Sequence, residues 1–258
     1  TNEEQNGYMI SISQRRVRLL KHLVMESDLF KIEPSIACDK IFSQLPEKSK
    51  GRRNSCQKIS KDKFDEAMRC VIATSNDLKQ NMSTDTQRLL SDLLSYIFTS
   101  FNSSESDGVD AKEIACGFTV LCGGRKSDKL EHAFELMDKD NDGLLSRSDM
   151  VRYLFSFLTV LLSISSCPIG REPREEFLLS MDGNPIKIDE NTLSRLIKDG
   201  SAWATTQVFN SANHRQMKDG QECINFDDFA DWYTKGGYTS IPWLELLDLR
   251  KWVLAEVQ

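Results

Sequence analysis

Apolar side chains return every three or four residues along most of this chain, the spacing that gives a helix one buried face. In residues 9–27, Val17, Leu20, Leu23 and Val24 share such a face, with Arg15, Arg16, Arg18 and Lys21 between them. A basic amphipathic helix is expected there, its cationic face in solvent. The same spacing predicts helices over 36–45 and 61–74, with a strand-like step at Lys58, Ile59 and Ser60. Residues 84–101 put Leu89, Leu90, Leu93, Leu94, Ile97, Phe98 and Phe101 on one side, and two more helices are predicted over 129–137 and 148–166. The stretch 167–187 carries Pro168, Gly170, Pro173, Gly183 and Pro185 and reads as a loop with one short helix. Beyond it, 190–198 and 202–210 are predicted as two helices broken at Gly200. A terminal amphipathic helix over 242–257 opens on Pro242, where a missing N–H costs nothing. The fold class predicted is all-α.

Between the helices over 129–137 and 148–166 lies DKDNDGLLSRSD, Asp138 to Asp149. Oxygen-bearing side chains stand at its first, third, fifth and ninth positions: Asp138, Asp140, Asp142 and Ser146. Gly143 is sixth, where a tight loop must turn with φ > 0, and Leu145 is an apolar eighth. The Leu144 carbonyl and the Asp149 carboxylate complete an oxygen set of the kind Ca²⁺ requires. Asp149 is one methylene shorter than the glutamate that usually grips calcium through both oxygens. Fewer ligand oxygens favour Mg²⁺, which is expected to compete.

Three fainter copies of this pattern surround it. Aligning Val109 with Leu145 gives a loop over 102–113, a weaker candidate metal site with Asn102, Ser104, Ser106, the Gly108 carbonyl, Asp110 and Glu113 as ligands. Its glycine is seventh rather than sixth. Aligning Ile59 puts Lys63 at the twelfth position, where a cation repels a metal. Aligning Ile224 puts Asp228 twelfth but Met217 first, which removes the leading ligand.

This arrangement resembles the EF-hand superfamily, in particular four-hand sensors of the recoverin and calcineurin-B type. A shorter stretch, FADWY followed by PWLELL, is similar in cadence to dystrophin-type and TLDc-associated EF-hand modules. The resemblance implies an N-terminal pair of hands over 1–125 and a C-terminal pair over 126–258 carrying the terminal helix. It also implies strand contacts of Ile59 with Val109 and of Leu145 with Ile224. By resemblance the chain is a calcium-binding regulatory module in which metal at 138–149 controls exposure of an apolar groove. Phe134, Met137, Leu154, Phe155 and Phe157 are the groove candidates. The occupant expected is a partner protein or the chain's own terminal helix, through Trp243, Leu247 and Trp252. The alternative is a constitutive interaction scaffold with a structural Ca²⁺ or Mg²⁺ site and no switching.

Composition narrows the field. A net charge of −6 argues against nucleic-acid binding, which needs a basic face. The seven cysteines are scattered with no C-x-x-C pair, which fits reduced thiols and a cytoplasmic setting rather than zinc or disulfides. The apolar run 150–167 is shorter than the roughly twenty residues of a membrane span and contains Arg152, so a buried helix is expected. His22, His132 and His214 have no nucleophile or metal partner at useful spacing, and no phosphate loop is present, so catalysis is not expected. The polar opening TNEEQNG, without an initiator Met, suggests a segment of a longer chain.

Overall fold

The computed structural model describes residues 8–10, 12–46, 57–75, 82–102, 108–168, 178–180, 183–186, 189–212 and 215–252. Among these, helices dominate and strands are short: the fold is all-α. The N-terminal half contributes α1 (Gln14–Glu26), α2 (Pro34–Ser43), α3 (Lys61–Ser75), α4 (Thr84–Phe101) and α5 (Ala111–Phe118). Then come α6 (Lys126–Met137), α7 (Arg147–Ser166), α8 (Glu190–Ser211) and α9 (Phe226–Trp232), followed by the short α10 (Tyr238–Ser240) and α11 (Leu249–Trp252). The predicted helices over 84–101 and 148–166 are found to within one residue, and the one over 129–137 begins three residues earlier, at Lys126. Their starts follow local chemistry: the side chains of Ser83 and Ser146 accept N–H bonds from Thr86 and Asp149 at the first turns of α4 and α7.

Two small antiparallel contacts tie the helix–loop–helix units in pairs. Strand β2 (Lys58–Ile59) meets β3 (Val109–Asp110) with Ile59 opposite Val109. Strand β4 (Leu144–Ser146) meets β7 (Gln221–Asn225) with Leu145 opposite Ile224. All four apolar residues are buried. The eighth-position register that the resemblance implies is therefore the register of both ladders. Gly108, which looked displaced, is explained by the first of them. It has φ 137°, and a Cβ there would stand 2.6 Å from the Ile59 carbonyl oxygen. No side chain fits where β3 enters the pairing.

The main core cluster runs from Leu20 to Leu249, with α7 at its centre, and a smaller one joins Leu158 and Leu162 of α7 to Leu193 and Ile197 of α8. By length and composition α7 is apolar enough to cross a bilayer, but most of it is buried inside the fold. Burial on all sides accounts for an apolar pattern with no polar stripe.

Five expectations are corrected. Residues 8–10 form strand β1, paired with β5 (Leu178–Ser180), so α1 begins only at Gln14, capped by Ser13. The stretch 167–187 supplies that β5 strand, and no helix occurs among its described residues. The cationic face of α1 is not wholly solvated: Arg16 is buried and donates from Nη1 to the Cys167 carbonyl, 2.6 Å away. It thereby neutralises the negative end of α7.

The fourth correction concerns Gly200, which does not break a helix. It lies inside the continuous α8, where a Cβ would meet Leu158 Cδ2 at 3.1 Å. The glycine lets α8 lie close on α7, and tertiary packing outweighs its low helix propensity. Last, 242–257 is not one helix in its described part. Pro242–Leu247 is a 3-10 turn, the chain bends at Asp248 (φ −86°, ψ 83°), and α11 follows. Three residues per turn place Leu244 and Leu247 on one line, and both are buried against the core. Lys126 fastens this turn, donating to Glu245 Oε1 at 2.5 Å and to the Tyr233 hydroxyl at 2.8 Å. Burial pushes the Glu245 carboxyl up, but bonds from Lys126, Lys251 and Tyr233 outweigh it and bring the pKa down to about 2.

Candidate metal centre

The loop 138–149 is closed on itself by its own first aspartate. Asp138 is buried, its Oδ1 accepts the N–H of Asn141 at 2.9 Å, and its Oδ2 accepts that of Gly143 at 2.7 Å. The Asp142 carboxylate accepts the Leu144 N–H at 3.0 Å. Gly143 has φ 79° and Asn141 φ 57°, the left-handed conformations that glycine and asparagine tolerate best. These turns bring Asp138, Asp140 and Asp142 together so that one oxygen from each lies within 4.8 Å of the others. Oxygens bound to one Ca²⁺ at about 2.3–2.6 Å can lie no farther than about 5 Å apart, so the cluster fits such an ion. The donors are all hard oxygens, the chemistry Ca²⁺ and Mg²⁺ share.

Asp149 stands apart from this cluster. Its Oδ1 is held by Lys139 Nζ at 2.6 Å and its Oδ2 by the Ser146 hydroxyl at 2.7 Å. Three of the four aspartates in the predicted set are thus assembled, while the fourth faces a lysine and a serine of its own loop.

A second lysine comes from elsewhere in the chain. Where alignment on Ile224 puts Met217 at the head of a fourth loop, the structure has a hairpin. Strand β6 (Gln216–Lys218) turns back into β7 through Asp219 and Gly220, at φ 49° and 77°. Two successive positive φ values make the tight turn whose twist matches a hairpin, and Asp-Gly is its favoured pair. That dipeptide, between Lys218 and Gln221, was the signal in the sequence for this hairpin. Lys218 Nζ donates to Asp140 Oδ2 and to Asp142 Oδ2, and the first of these bonds holds the Asp140 carboxyl below its usual range.

The weaker loop 102–113 has found a different cation. Arg152, on α7, donates from Nη2 to Asp110 Oδ2 at 2.5 Å and from Nε to Glu113 Oε1 at 2.6 Å. These are the ninth and twelfth residues of that loop. Asp110 also caps α5, accepting the N–H of Lys112 at 2.9 Å. Asn102 ends α4, and Gly108 is set by the ladder described above. Ser104 and Ser106 lie outside the described residues. Arg152→Met should remove the cation shared by two half-buried carboxylates and cost about 2 kcal/mol, between the exposed and fully buried cases. Urea unfolding checks it, and a loss below about 0.5 kcal/mol would show that solvent already screens the pair.

The groove candidates lie in the core. Phe134, Met137, Leu154 and Phe157 are buried and Phe155 is partly so. The Phe134 and Tyr153 ring centroids are 5.8 Å apart, those of Tyr153 and Phe229 5.8 Å, and those of Phe134 and Phe226 5.6 Å. Aromatic side chains of α9 therefore cover the apolar faces of α6 and α7. Leu247 is buried and Trp243 packs, partly buried, against the core. The Trp252 side chain lies outside what the structure describes, as does His214.

No family model matches the chain. Over 120 residues, 43% of this chain and 7% of the relative, it is 22% identical to ubiquitin carboxyl-terminal hydrolase 32 of Drosophila melanogaster. Over 80 residues, 31% of this chain and 41% of the relative, it is 31% identical to calcium-binding protein NCSA of Dictyostelium discoideum. Over 116 residues it is 30% identical to a guanylyl cyclase inhibitory protein of Lithobates pipiens, 44% of this chain and 50% of that protein. The matched stretches span half or less of each of these relatives.

Proposed function

We propose that this chain is a calcium-binding regulatory module whose metal site is the loop 138–149. The observation that carries the reading is the gathering of Asp138, Asp140 and Asp142 around one point, in a loop shaped by Gly143. Similarity to a protein named as calcium-binding supports the choice of ion. The ion would be held by these three carboxylates, with the Leu144 carbonyl, Ser146 and an Asp149 freed from Lys139 proposed as the further ligands, and when bound it supplies a double positive charge at the junction of α6 and α7. Its ligands stand on rigid supports: α6 ends on Asp138 as its C-cap, and α7 begins on Ser146 as its N-cap.

Any change in the spacing of those carboxylates is therefore passed to both helices, whose facing side chains include Phe134 and Tyr153. The regulation proposed is a shift between a covered and an exposed apolar face on these helices. The occupant is a partner protein or the chain's own C-terminal turn at Pro242–Leu247. The reading includes no catalysis by the chain, a cytoplasmic setting and no membrane span. Mg²⁺ competes for the same oxygens.

Calorimetric Ca²⁺ titration in physiological Mg²⁺ tests this. The wild type should show one site in the micromolar range of sensors, and Asp138→Ala, which removes both a ligand and the clasp on Gly143, should lose it. Heat that is unchanged in the variant would place the site elsewhere. Apolar-dye binding at constant Mg²⁺ then separates switch from scaffold. A switch changes its dye binding on Ca²⁺ chelation, whereas a scaffold, favoured by the cover α9 already provides, keeps it unchanged.

A further inference from the structure

We infer that Lys218 is a tethered cation that competes with metal for the loop 138–149 and so sets its affinity. The inference rests on the metal reading proposed above. Three observations on separate elements carry it. The ammonium of Lys218 bonds to Asp140 and Asp142, two of the three clustered carboxylates, and not to the nearer acidic residues of its own hairpin. Of those, Glu222 pairs instead with Arg147 at 3.2 Å and with Arg215 at 3.1 Å. The backbone, moreover, fixes where Lys218 stands. It is the last residue of β6, opposite Gln221, and β7 is anchored to β4 from Leu144 to Ser146, immediately beyond the aspartates.

The unit that lost its own metal loop thus delivers a charge to its neighbour's loop. A metal ion approaching Asp140 and Asp142 must displace that charge. The displacement opposes binding by the worth of the two exposed ion pairs, about a fivefold loss of affinity. The competition acts on any cation that uses these oxygens. Bound metal, in turn, releases Lys218 from the loop.

The test compares Ca²⁺ affinities of four versions of this chain by calorimetry: wild type, Lys218→Gln, Lys218→Arg and Arg215→Gln. Arg215 serves as control because it removes one positive charge from the same hairpin without touching the aspartates. Lys218 is exposed enough that Lys218→Gln should leave the fold intact, which circular dichroism verifies. Expected is an affinity about fivefold tighter for Lys218→Gln, with Lys218→Arg near wild type and Arg215→Gln unchanged. Calcium heat appearing in Lys218→Gln alone would also support the inference, as competition strong enough to mask the site. Equal tightening in Lys218→Gln and Arg215→Gln would overturn it, because the effect would then be diffuse charge. Wild-type binding with no gain in Lys218→Gln would overturn it while leaving the metal reading intact. Calcium binding by none of the four chains would overturn both readings together.

Discussion

Tyr153→Ala should destabilise the protein by about 4 kcal/mol and weaken calcium binding with it. Tyr153 is fully buried on α7, and its ring meets Phe134 on α6, Phe157 on its own helix and Phe229 on α9. Removing a large buried aromatic loses its transfer energy and leaves a cavity, together costing about 3–5 kcal/mol. Its hydroxyl donates to the Leu130 carbonyl at 3.0 Å, so Tyr153→Phe separates the two contributions and should cost only about 1 kcal/mol. The pair Phe134 and Tyr153 joins the helix entering the metal loop to the helix leaving it. Looser packing there lets the carboxylates of Asp138 and Asp142 drift apart. Urea unfolding should show a lower midpoint with an unchanged slope. A loss below about 1 kcal/mol would mean the cluster relaxes around the gap and does not hold α6 to α7.

The second large effect is expected at alkaline pH and belongs to Lys129. Its side chain is buried on α6 and donates to the Val120 carbonyl at 3.0 Å. Burial lowers its pKa from the ordinary 10.5 to about 8, with nearby Asp248 opposing that shift only in part. The folded chain therefore sheds this proton near pH 8, whereas the unfolded chain keeps it to about 10.5. Between those values the unfolded state binds more protons, so this residue's contribution to stability rises with pH. The penalty of the buried charge is complete below pH 8 and gone above 10.5, a change of about 3 kcal/mol.

Other groups run the opposite way. Burial raises the Cys38, Cys116 and Cys122 thiols and the Tyr153 hydroxyl, so these ionise more readily in the unfolded chain and favour unfolding above pH 9. Total stability will mix both trends. The difference between wild type and Lys129→Met isolates the lysine: wild type should gain about 3 kcal/mol relative to the variant from pH 8 to 10.5. Parallel curves for the two proteins would show that Lys129 keeps its ordinary pKa and reaches water.

The sequence alone determined what is local: which segments coil, because the apolar period of 84–101 or 148–166 leaves no other way to bury those side chains. It determined the shape of the loop 138–149, since a glycine at the sixth place and oxygens at alternate places need no distant partner to turn. It marked Ile59, Val109, Leu145 and Ile224 as the apolar eighth residues, and the pairing that the resemblance implies for them is the one both ladders show.

What stayed hidden depends on residues far apart in the chain. Gly200 reads as a break until Leu158 of α7 is seen against it. The segment after Pro242 reads as a helix until Leu244 and Leu247 are seen to choose three residues per turn for their burial. The cations were least legible. Arg16 on a helix C-terminus, Arg152 between Asp110 and Glu113, and Lys218 over Asp140 and Asp142 each neutralise charge made by another element. A long flexible side chain carries no periodic signature of its target. Only the tertiary structure, by fixing where each backbone ends up, decides which charge it meets.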